Sequence, residues 1–366
     1  MDKKINKIVL TGGPCAGKTT ALNWIKTSFE KEGYKVIFIG EAATELINSG
    51  LNPKELSRVE FESLLMKLQI KKEDLFEKAC ENIDNDKILL VCDRGILDNR
   101  AYMSEEEFNF CLKNNGLTLE GAKERYDACF HLVTAAKGVK DSYNLDNKAR
   151  METLTEASLI DDKTLNAWIG HSHLKVIDNY ENFEDKMRKL ILEISNVLGI
   201  PYPFEIERKF LIEMPDINFL EQLDNCSKVK IVQTYLKSDD EYEKRVRLRS
   251  SCDSFSYTMT KKKQIDSLKR IEIEQKLTKE EYIEALLDVD FEKSPIVKDR
   301  YCICYKNKYF EVDIYPEIRD YAICEIELLD EDESFNFPDY LTVIEEVTTK
   351  EEYKNSNIAK RLVKIY

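Results

Sequence analysis

Phe204-Glu205-Ile206-Glu207-Arg208-Lys209-Phe210-Leu211-Ile212 is the stretch on which the reading of the second half of this chain turns. In an extended strand the period of two puts Glu205, Glu207 and Lys209 on one face, and the apolar residues with Arg208 on the other. Two carboxylates beside an ammonium suit a polar cavity. There the carboxylates hold a divalent cation, and the lysine meets an anion that the same cation bridges. That combination predicts a polyphosphate site.

Downstream, charges recur at alternate positions inside strand-like sequence. Arg245, Arg247 and Arg249 form one such segment, and Thr258 and Thr260 followed by Lys261 to Lys263 form a second. Arg270, Glu272 and Glu274 alternate with isoleucines, and Lys298 and Arg300 precede the apolar run Tyr301 to Tyr305. Glu311 and Asp313 flank Val312, and Glu325 and Glu327 flank Ile326. Strands with one charged and one apolar face, repeated in this way, predict an antiparallel barrel with a covered outside and an interior charged in both signs. Soluble barrels ordinarily fill their interior with apolar side chains, so a charged interior predicts a bound ligand.

Residues 203–366 resemble the CYTH domain, also called the triphosphate tunnel metalloenzyme fold. The resemblance rests on Glu205-x-Glu207-x-Lys209, Gln233-x-Tyr235-Leu236, Arg245-x-Arg247, the Thr258 to Lys261 strand and Arg270-x-Glu272-x-Glu274. It continues through Lys298-x-Arg300, Glu311-x-Asp313, Glu325-x-Glu327 and the late Thr348, Tyr353 and Asn355. It implies that Lys209, Arg245, Arg247, Lys261, Lys298 and Arg300 grip phosphate oxygens, Arg through paired contacts and Lys as a point charge. It implies further that Glu205, Glu207, Glu272, Glu274, Asp313, Glu325 and Glu327 place one or two Mg²⁺ or Mn²⁺ ions and orient a water, with Glu205, Glu207 and Lys209 central to catalysis. Oxygen-only ligands favour such hard cations over zinc. Family members hydrolyse tripolyphosphate, nucleoside triphosphates or thiamine triphosphate, and some cyclise ATP. Local letters do not separate these substrates.

Near the other end, a short β-prone run, Lys7 to Leu10, leads into Gly12-Gly13-Pro14-Cys15-Ala16-Gly17-Lys18-Thr19-Thr20, and Ala21 to Glu30 has helical spacing. This is G-x-x-x-x-G-K-[ST] in the strand, loop, helix context that the motif requires. Glycines let backbone N–H groups approach phosphate and the helix N-terminus adds partial positive charge. Lys18 then reaches the β and γ phosphates and Thr19 ligates Mg²⁺. A second apolar run, Lys87 to Cys92, delivers Asp93 as a metal-holding carboxylate or catalytic base. Val36 to Ile39 predicts a strand that projects Glu41 toward the ligand crevice of an open α/β sheet. Asp93-Arg94-Gly95 resembles the acid–arginine pair of thymidylate kinase and deoxynucleoside kinase relatives. Tyr143 to Trp168 is expected to form a lid whose Arg150 reaches the transferred phosphate. Residues 5 to about 198 are similar to the small-kinase P-loop branch that includes the ATPase region of nicotinamide-nucleotide regulators. The choice between ATP and GTP stays open.

The chain of 366 residues has material for two cores. The join is expected at Gly199-Ile200-Pro201-Tyr202-Pro203, which stops a helix covering about Phe183 to Leu198. The predicted fold is α/β + β: a P-loop parallel sheet flanked by helices in residues 1–199, then an antiparallel eight-stranded tunnel-like β-barrel with accessory helices in 203–366. Net charge is −14, with acidic residues in excess in both halves, which argues against general nucleic-acid binding. Alternation sends Lys262 outward, leaving a local anionic contact there. The ten cysteines show no C-x-x-C and are expected as free thiols of a reducing compartment. His131 is expected in the core. No apolar run of transmembrane length follows the charged start, so a soluble, cytoplasmic protein without expected peripheral membrane contact is predicted. Two functions follow. One is a metal-dependent triphosphatase tunnel coupled to a P-loop domain that phosphorylates a small substrate or regulates the tunnel. The alternative is a nucleotide-dependent regulatory or trafficking protein whose tunnel senses a phosphorylated ligand or phospholipid headgroup.

Overall fold

The computed structural model describes residues 3–51, 55–137, 153–180, 182–200, 204–238, 242–251, 254–265, 269–328 and 333–363. The chain divides into two compact units, Met1–Ile194 and Ser195–Tyr366. No helix among the described residues is long and apolar enough to cross a membrane.

The first unit is built on five strands: β1 (Lys4–Thr11), β2 (Lys35–Ile39), β3 (Lys87–Asp93), β4 (Ala128–Leu132) and β5 (Leu174–Ile177). They form one sheet in the order β2-β3-β1-β4-β5, and every pairing is parallel. The central strands read as unbroken apolar runs because both faces are covered. Ile8, Val9, Leu10 and Ile88 through Val91 are fully buried. The covering helices are α1 (Lys18–Lys31), α2 (Ala42–Asn48), α3 (Arg58–Glu81), α4 (Glu105–Asn114), α5 (Leu119–Lys123), α6 (Leu154–Trp168) and α7 (Phe183–Leu198). Three of them start where the sequence supplies a Ser or Thr followed three residues later by Glu. Ser57 with Glu60, Ser104 with Glu107 and Thr153 with Glu156 each close a reciprocal capping box.

The expected lid from Tyr143 to Trp168 is corrected in its second part. From Leu154 onward the chain is α6, with Ala157, Asp161, Leu165 and Trp168 buried, so it is packed wall rather than cover. Residues 138–152, with Arg150, lie outside the described residues.

The second unit carries β6 (Phe204–Glu213), β7 (Cys226–Leu236), β8 (Glu243–Ser251), β9 (Ser254–Gln264), β10 (Lys269–Leu277), β11 (Ile296–Tyr305), β12 (Lys308–Ile314), β13 (Tyr321–Leu328) and β14 (Val343–Glu346). They make a nine-stranded antiparallel sheet in the order β10-β9-β8-β7-β11-β12-β13-β6-β14, and β10 also pairs with β6. That extra pairing sets Arg270 opposite Glu205 and Ile271 opposite Phe204. The sequence predicts eight strands. The ninth, β14, is four residues long and bulged, too short for an alternating pattern to register. Helices α8 (Ile217–Leu220), α9 (Lys279–Ala285) and α10 (Asn355–Val363) accompany the sheet.

The two faces of this sheet differ in kind. Phe210, Ile212, Tyr301, Ile303, Phe310, Val312 and Ile326 lie in one apolar cluster, against which Phe335, Phe337 and Tyr340 pack. That covered face leaves the alternate positions, Lys209, Arg300, Asp313 and Glu325 among them, on the opposite side. Against part of that side α10 sets Ile358, Ala359 and Leu362 with Tyr235, Tyr315 and Ile323.

Candidate functional site

In the first unit the phosphate-binding motif sits at the C-terminal edge of the sheet, between β1 and α1. Gly12 has φ 142, and a Cβ there would come within 2.2 Å of the Leu132 carbonyl oxygen. No other residue fits. Gly13 is equally confined, since its Cβ would lie 2.7 Å from that of Asp161. Cys15 (φ 57) and Gly17 (φ 92) are also left-handed, so the loop from Gly12 through Gly17, with Pro14 and Ala16, has the backbone signature of loops whose N–H groups bind anions. Lys18, Thr19 and Thr20 open α1. Thr19 and Thr20 are exposed there.

The Lys18 ammonium donates to the Gly12 carbonyl at 3.3 Å. Burial first, then the Arg94 charge, lowers it to about 8 against the attraction of Asp93, Glu41 and Asp98. The β1–β3 register sets Asp93 beside Leu10, at the start of the loop. Burial raises the Asp93 carboxyl above its ordinary range, ahead of the opposing pull of Lys18, and its Oδ1 has no hydrogen-bond partner among the described residues. An orphaned buried carboxylate oxygen beside a phosphate loop fits a hard divalent cation.

Arg94 follows with φ 68, a strained conformation of the kind that accumulates at functional sites. Its Nε donates to Glu41 Oε1 at 2.6 Å, and Nη1 stands 3.7 Å from Asp98. Burial pushes the Glu41 carboxyl up, but Arg94, the Thr44 hydroxyl and Lys18 outweigh it and bring it below the usual range. Beside this pair lies a cavity of about 220 Å³ lined by Glu41, Ala42, Ala43, Phe61, Glu62, Leu65, Gln69, Arg94, Gly95, Asp98, Asn99 and Tyr102.

Two braces of the loop were not legible as such in the sequence. Asp161 on α6 is fully buried and accepts from the Gly13 N–H at 2.8 Å, the Thr134 N–H at 3.2 Å and Lys137 Nζ at 2.8 Å. Burial opposes its ionisation, yet His131, 3.2 Å away, and Lys137 hold it well below the usual carboxylate range. Lys186 on α7 donates to the carbonyls of Ala16 at 3.2 Å and Val133 at 2.5 Å. Their distance along the chain from the loop, and the absence of any motif around them, hid both.

In the second unit the charged face gathers most of the expected residues. Lys209 Nζ lies 2.6 Å from Glu325 and 3.5 Å from Glu207. Arg300 forks onto Asp313 with Nε and Nη2 both at 2.7 Å, reaches Glu325 at 2.8 Å, and pairs with Glu311. Lys298, fully buried, also pairs with Asp313. Burial, then Arg300, lowers the Lys298 ammonium to about 8. Burial disfavours the Glu325 carboxylate, but Lys209, Arg300 and Lys298 hold it well below its ordinary range.

A second group lies on β8 to β10. Arg245 stands 3.3 Å from Glu272 and Arg247 4.0 Å from Glu274, while Arg247 donates to Gln233 at 3.4 Å. Burial and then Arg245 push the Arg247 guanidinium down to about 10. Glu327 pairs in register with Glu207 on the neighbouring strand. The side chain of Glu205 lies outside the described ones.

One placement is corrected. Lys261 is exposed and opposes Lys244 and Ile273, whereas Lys262 opposes Glu243 and Glu272 and forms an ion pair with Glu272. The period of two is the reason: Thr258, Thr260 and Lys262 share a face, so Lys262 turns inward and Lys261 outward. Among the described residues no group of three or more His, Cys, Asp or Glu stands at metal-binding spacing. Glu207, Glu272, Glu274, Asp313 and Glu325 are instead close to Lys or Arg. The nine described cysteines are free.

A family described as an AAA domain matches residues 7–186, so the N-terminal unit is an AAA-like P-loop domain. No curated protein matches the chain. Solved structures similar to it include "The crystal structure of the inorganic triphosphatase NE1496", at 27% identity and a TM-score of 0.30, over 43% of this chain and 94% of that one. "The crystal structure of the hypothetical protein NE1496" aligns at 28% identity and a TM-score of 0.29, over 43% of this chain and 97% of that one. "Structure of PH1819 protein from Pyrococcus Horikoshii OT3" aligns at 18% identity and a TM-score of 0.28, over 44% and 87%.

Proposed function

We propose that the second unit binds a linear triphosphate, tripolyphosphate or a nucleoside triphosphate, and hydrolyses it with Mg²⁺ or Mn²⁺. In this reading the β10–β6 pairing closes the sheet into a tunnel. The observation that carries it is the interleaving of both charge signs on one buried face. Lys298 and Asp313 are fully buried and Lys209, Arg245, Arg300 and Glu325 nearly so, in a position where a structural core would hold apolar side chains. A sensor of phosphate alone needs only the cations. The carboxylates make sense when a metal ion accompanies the phosphates.

Lys209, Arg245, Arg247, Lys262, Lys298 and Arg300 take the phosphate oxygens, with Lys262 in place of Lys261. Glu205, Glu207, Glu272, Glu274, Asp313, Glu325 and Glu327 are the oxygen donors from which the metal ligands come, and the donor set fits a hard cation. When bound, the cation neutralises charge on the phosphoryl oxygens and lowers the pKa of a water. The chain's own part is positioning and charge neutralisation: arginines orient the phosphates, and Glu207 holds Lys209 toward them.

The P-loop domain binds ATP or GTP through Gly12 to Thr20. Thr19 and Asp93 supply oxygens to Mg²⁺, and Glu41, Arg94 and Arg150 serve transfer to a small substrate or regulation of the tunnel. The test is phosphate release from tripolyphosphate and from each nucleoside triphosphate, with and without Mg²⁺ or Mn²⁺, in the wild type and Glu207→Ala. Release that depends on the metal and falls at least a hundredfold in the variant is expected. Equal release from both proteins would reject the assignment.

A further inference from the structure

The cations of the charged face continue past those assigned to a triphosphate. Arg249 follows Arg245 and Arg247 at the same alternate spacing on β8 and is 4% exposed. Burial works against its charge, and Cys302 and Glu311 outweigh burial to hold the guanidinium above its ordinary range. Those two residues stand opposite one another on β11 and β12, two positions along from Arg300 opposite Asp313, so Arg249 marks a further level of the same face. Beside it β9 supplies a row of hydroxyls. Thr258 stands opposite Arg247, Ser256 opposite Arg249 and Ser254 opposite Ser251. All three are 5 to 7% exposed, and none of their hydroxyl oxygens has a hydrogen-bond partner among the described residues. A buried hydroxyl without a partner has lost its bond to water and gained none, and three in line call for a ligand.

We propose that Arg249, Ser254 and Ser256 form a further subsite that takes a fourth phosphoryl group, so that the second unit prefers linear phosphates longer than three. The inference rests on the reading of this face as a triphosphate site. Residues two apart on a strand stand roughly 7 Å apart, and the step from Arg245 to Arg247 already matches the length of a triphosphate. The next step ends at Arg249, past a triphosphate and within reach of a longer chain. The chemistry of this level suits that guest. A guanidinium and hydroxyls donate hydrogen bonds, which phosphoryl oxygens accept. Glu311, the carboxylate that acts on Arg249, is already paired with Arg300, so an anion here meets donors directly rather than through a bridging cation. Closed through β10 and β6, the ring from β6 to β13 has eight strands, and such a ring leaves an interior that holds only side chains or one small ligand. An unbranched phosphate chain fits that width, and a nucleoside in its place does not.

The full-length chain carrying Lys18→Ala, so that the phosphate loop does not contribute, is titrated by calorimetry in EDTA, where a metal-dependent reaction cannot run. The probes are tripolyphosphate, tetrapolyphosphate and ATP. Tetrapolyphosphate is expected to bind at least tenfold tighter than tripolyphosphate, and ATP no tighter than tripolyphosphate. Arg249→Met should remove that preference. Ser254→Ala together with Ser256→Ala, which deletes hydroxyls that hold nothing in the fold, should cut it at least threefold while leaving tripolyphosphate affinity within twofold. Equal affinity for the two polyphosphates, or a preference indifferent to the serine substitutions, overturns the subsite and leaves the triphosphate reading standing. ATP binding that needs Ser254 and Ser256 overturns it as well, since this level then reads a nucleoside. Binding of neither polyphosphate, with Mg²⁺ restored as well as without, removes the proposed triphosphatase along with the subsite.

Discussion

Arg247 and Arg300 share one face of the antiparallel sheet, yet replacing each by methionine should move stability in opposite directions. The Arg247 guanidinium is pushed down to about 10, first by burial and then by Arg245, while staying protonated at neutral pH. At about 1.4 kcal/mol for each tenfold change in a protonation constant, the fold carries its charge at an unfavourable ~3 kcal/mol. That figure already includes the pull of the carboxylate 4.0 Å away; what it leaves out is the hydrogen bond of 3.4 Å to Gln233, worth about 1 kcal/mol. Arg247→Met should therefore stabilise the ligand-free second unit by about 1–2 kcal/mol, a rise of roughly 3–6 °C in Tm for a unit of this size. Arg300 is the opposite case. Its three nitrogens hold Asp313, Glu325 and Glu311, so Arg300→Met strands buried carboxylates and should destabilise by about 3–5 kcal/mol. The assay is differential scanning calorimetry with and without tripolyphosphate and Mg²⁺. Wild type at a hundredfold excess over Kd should gain about 2.7 kcal/mol, and Arg247→Met should gain little. If Arg247→Met instead lowers the ligand-free Tm as much as Arg300→Met does, Arg247 is a structural ion-pair partner, and the argument for a waiting anion site fails.

Lys18→Ala should remove nucleotide binding, weakening it at least a hundredfold by calorimetric titration, while leaving the unfolding of the second unit in place. Lys262→Ala should weaken tripolyphosphate at least tenfold and Lys261→Ala less than twofold; equal effects would return the inward position to doubt. Lys18, Lys186 and Lys298 all titrate near 8 in the fold against an ordinary 10.5. Between those values each lysine adds stability as pH rises, but buried thiols and phenols that burial holds protonated, Cys92, Cys129 and Tyr126 among them, take it away, so the readout is calorimetric nucleotide affinity, which should fall once Lys18 loses its charge. Asp161→Ala should loosen nucleotide binding tenfold or more and destabilise the first unit by about 2–4 kcal/mol, because it strands the Gly13 and Thr134 N–H groups, while Lys137 keeps its pair with Asp162. Unchanged nucleotide affinity would show the loop to be self-supporting.

The strands and the phosphate loop were legible because each is a local pattern. Gly12 to Thr20 needs only its own nine residues and the apolar run before it, and the charged faces need only a period of two over each strand. The same period misplaced Lys261, because three consecutive lysines give no local sign of which face each occupies. Thr258 and Thr260 set the phase, and continuing it two more residues puts Lys262 inside. Asp161 and Lys186 were illegible for another reason. Each meets the loop only through the fold, the first by α6 lying over Gly13 and the second by α7 reaching the Ala16 carbonyl.

In the proposed function the units meet phosphate by opposite means, and this decides where each tolerates change. In the first, recognition is carried by backbone N–H groups whose geometry depends on Gly12 and Gly13 being pressed against Leu132 and Asp161, so substitutions that alter shape do the damage. In the second, recognition is carried by side-chain charge, and every cation given a carboxylate partner in advance must exchange it when a phosphate arrives. At Arg300 the attraction of Asp313, Glu311 and Glu325 outweighs burial, and since a phosphate oxygen offers a comparable attraction, exchange trades one strong partner for another. Cations without a full partner, Arg247 foremost, are the ones from which net affinity comes. The carboxylates released by the others are then free to meet a divalent cation, so triphosphate and metal should bind the second unit cooperatively, each raising the affinity of the other by the same factor.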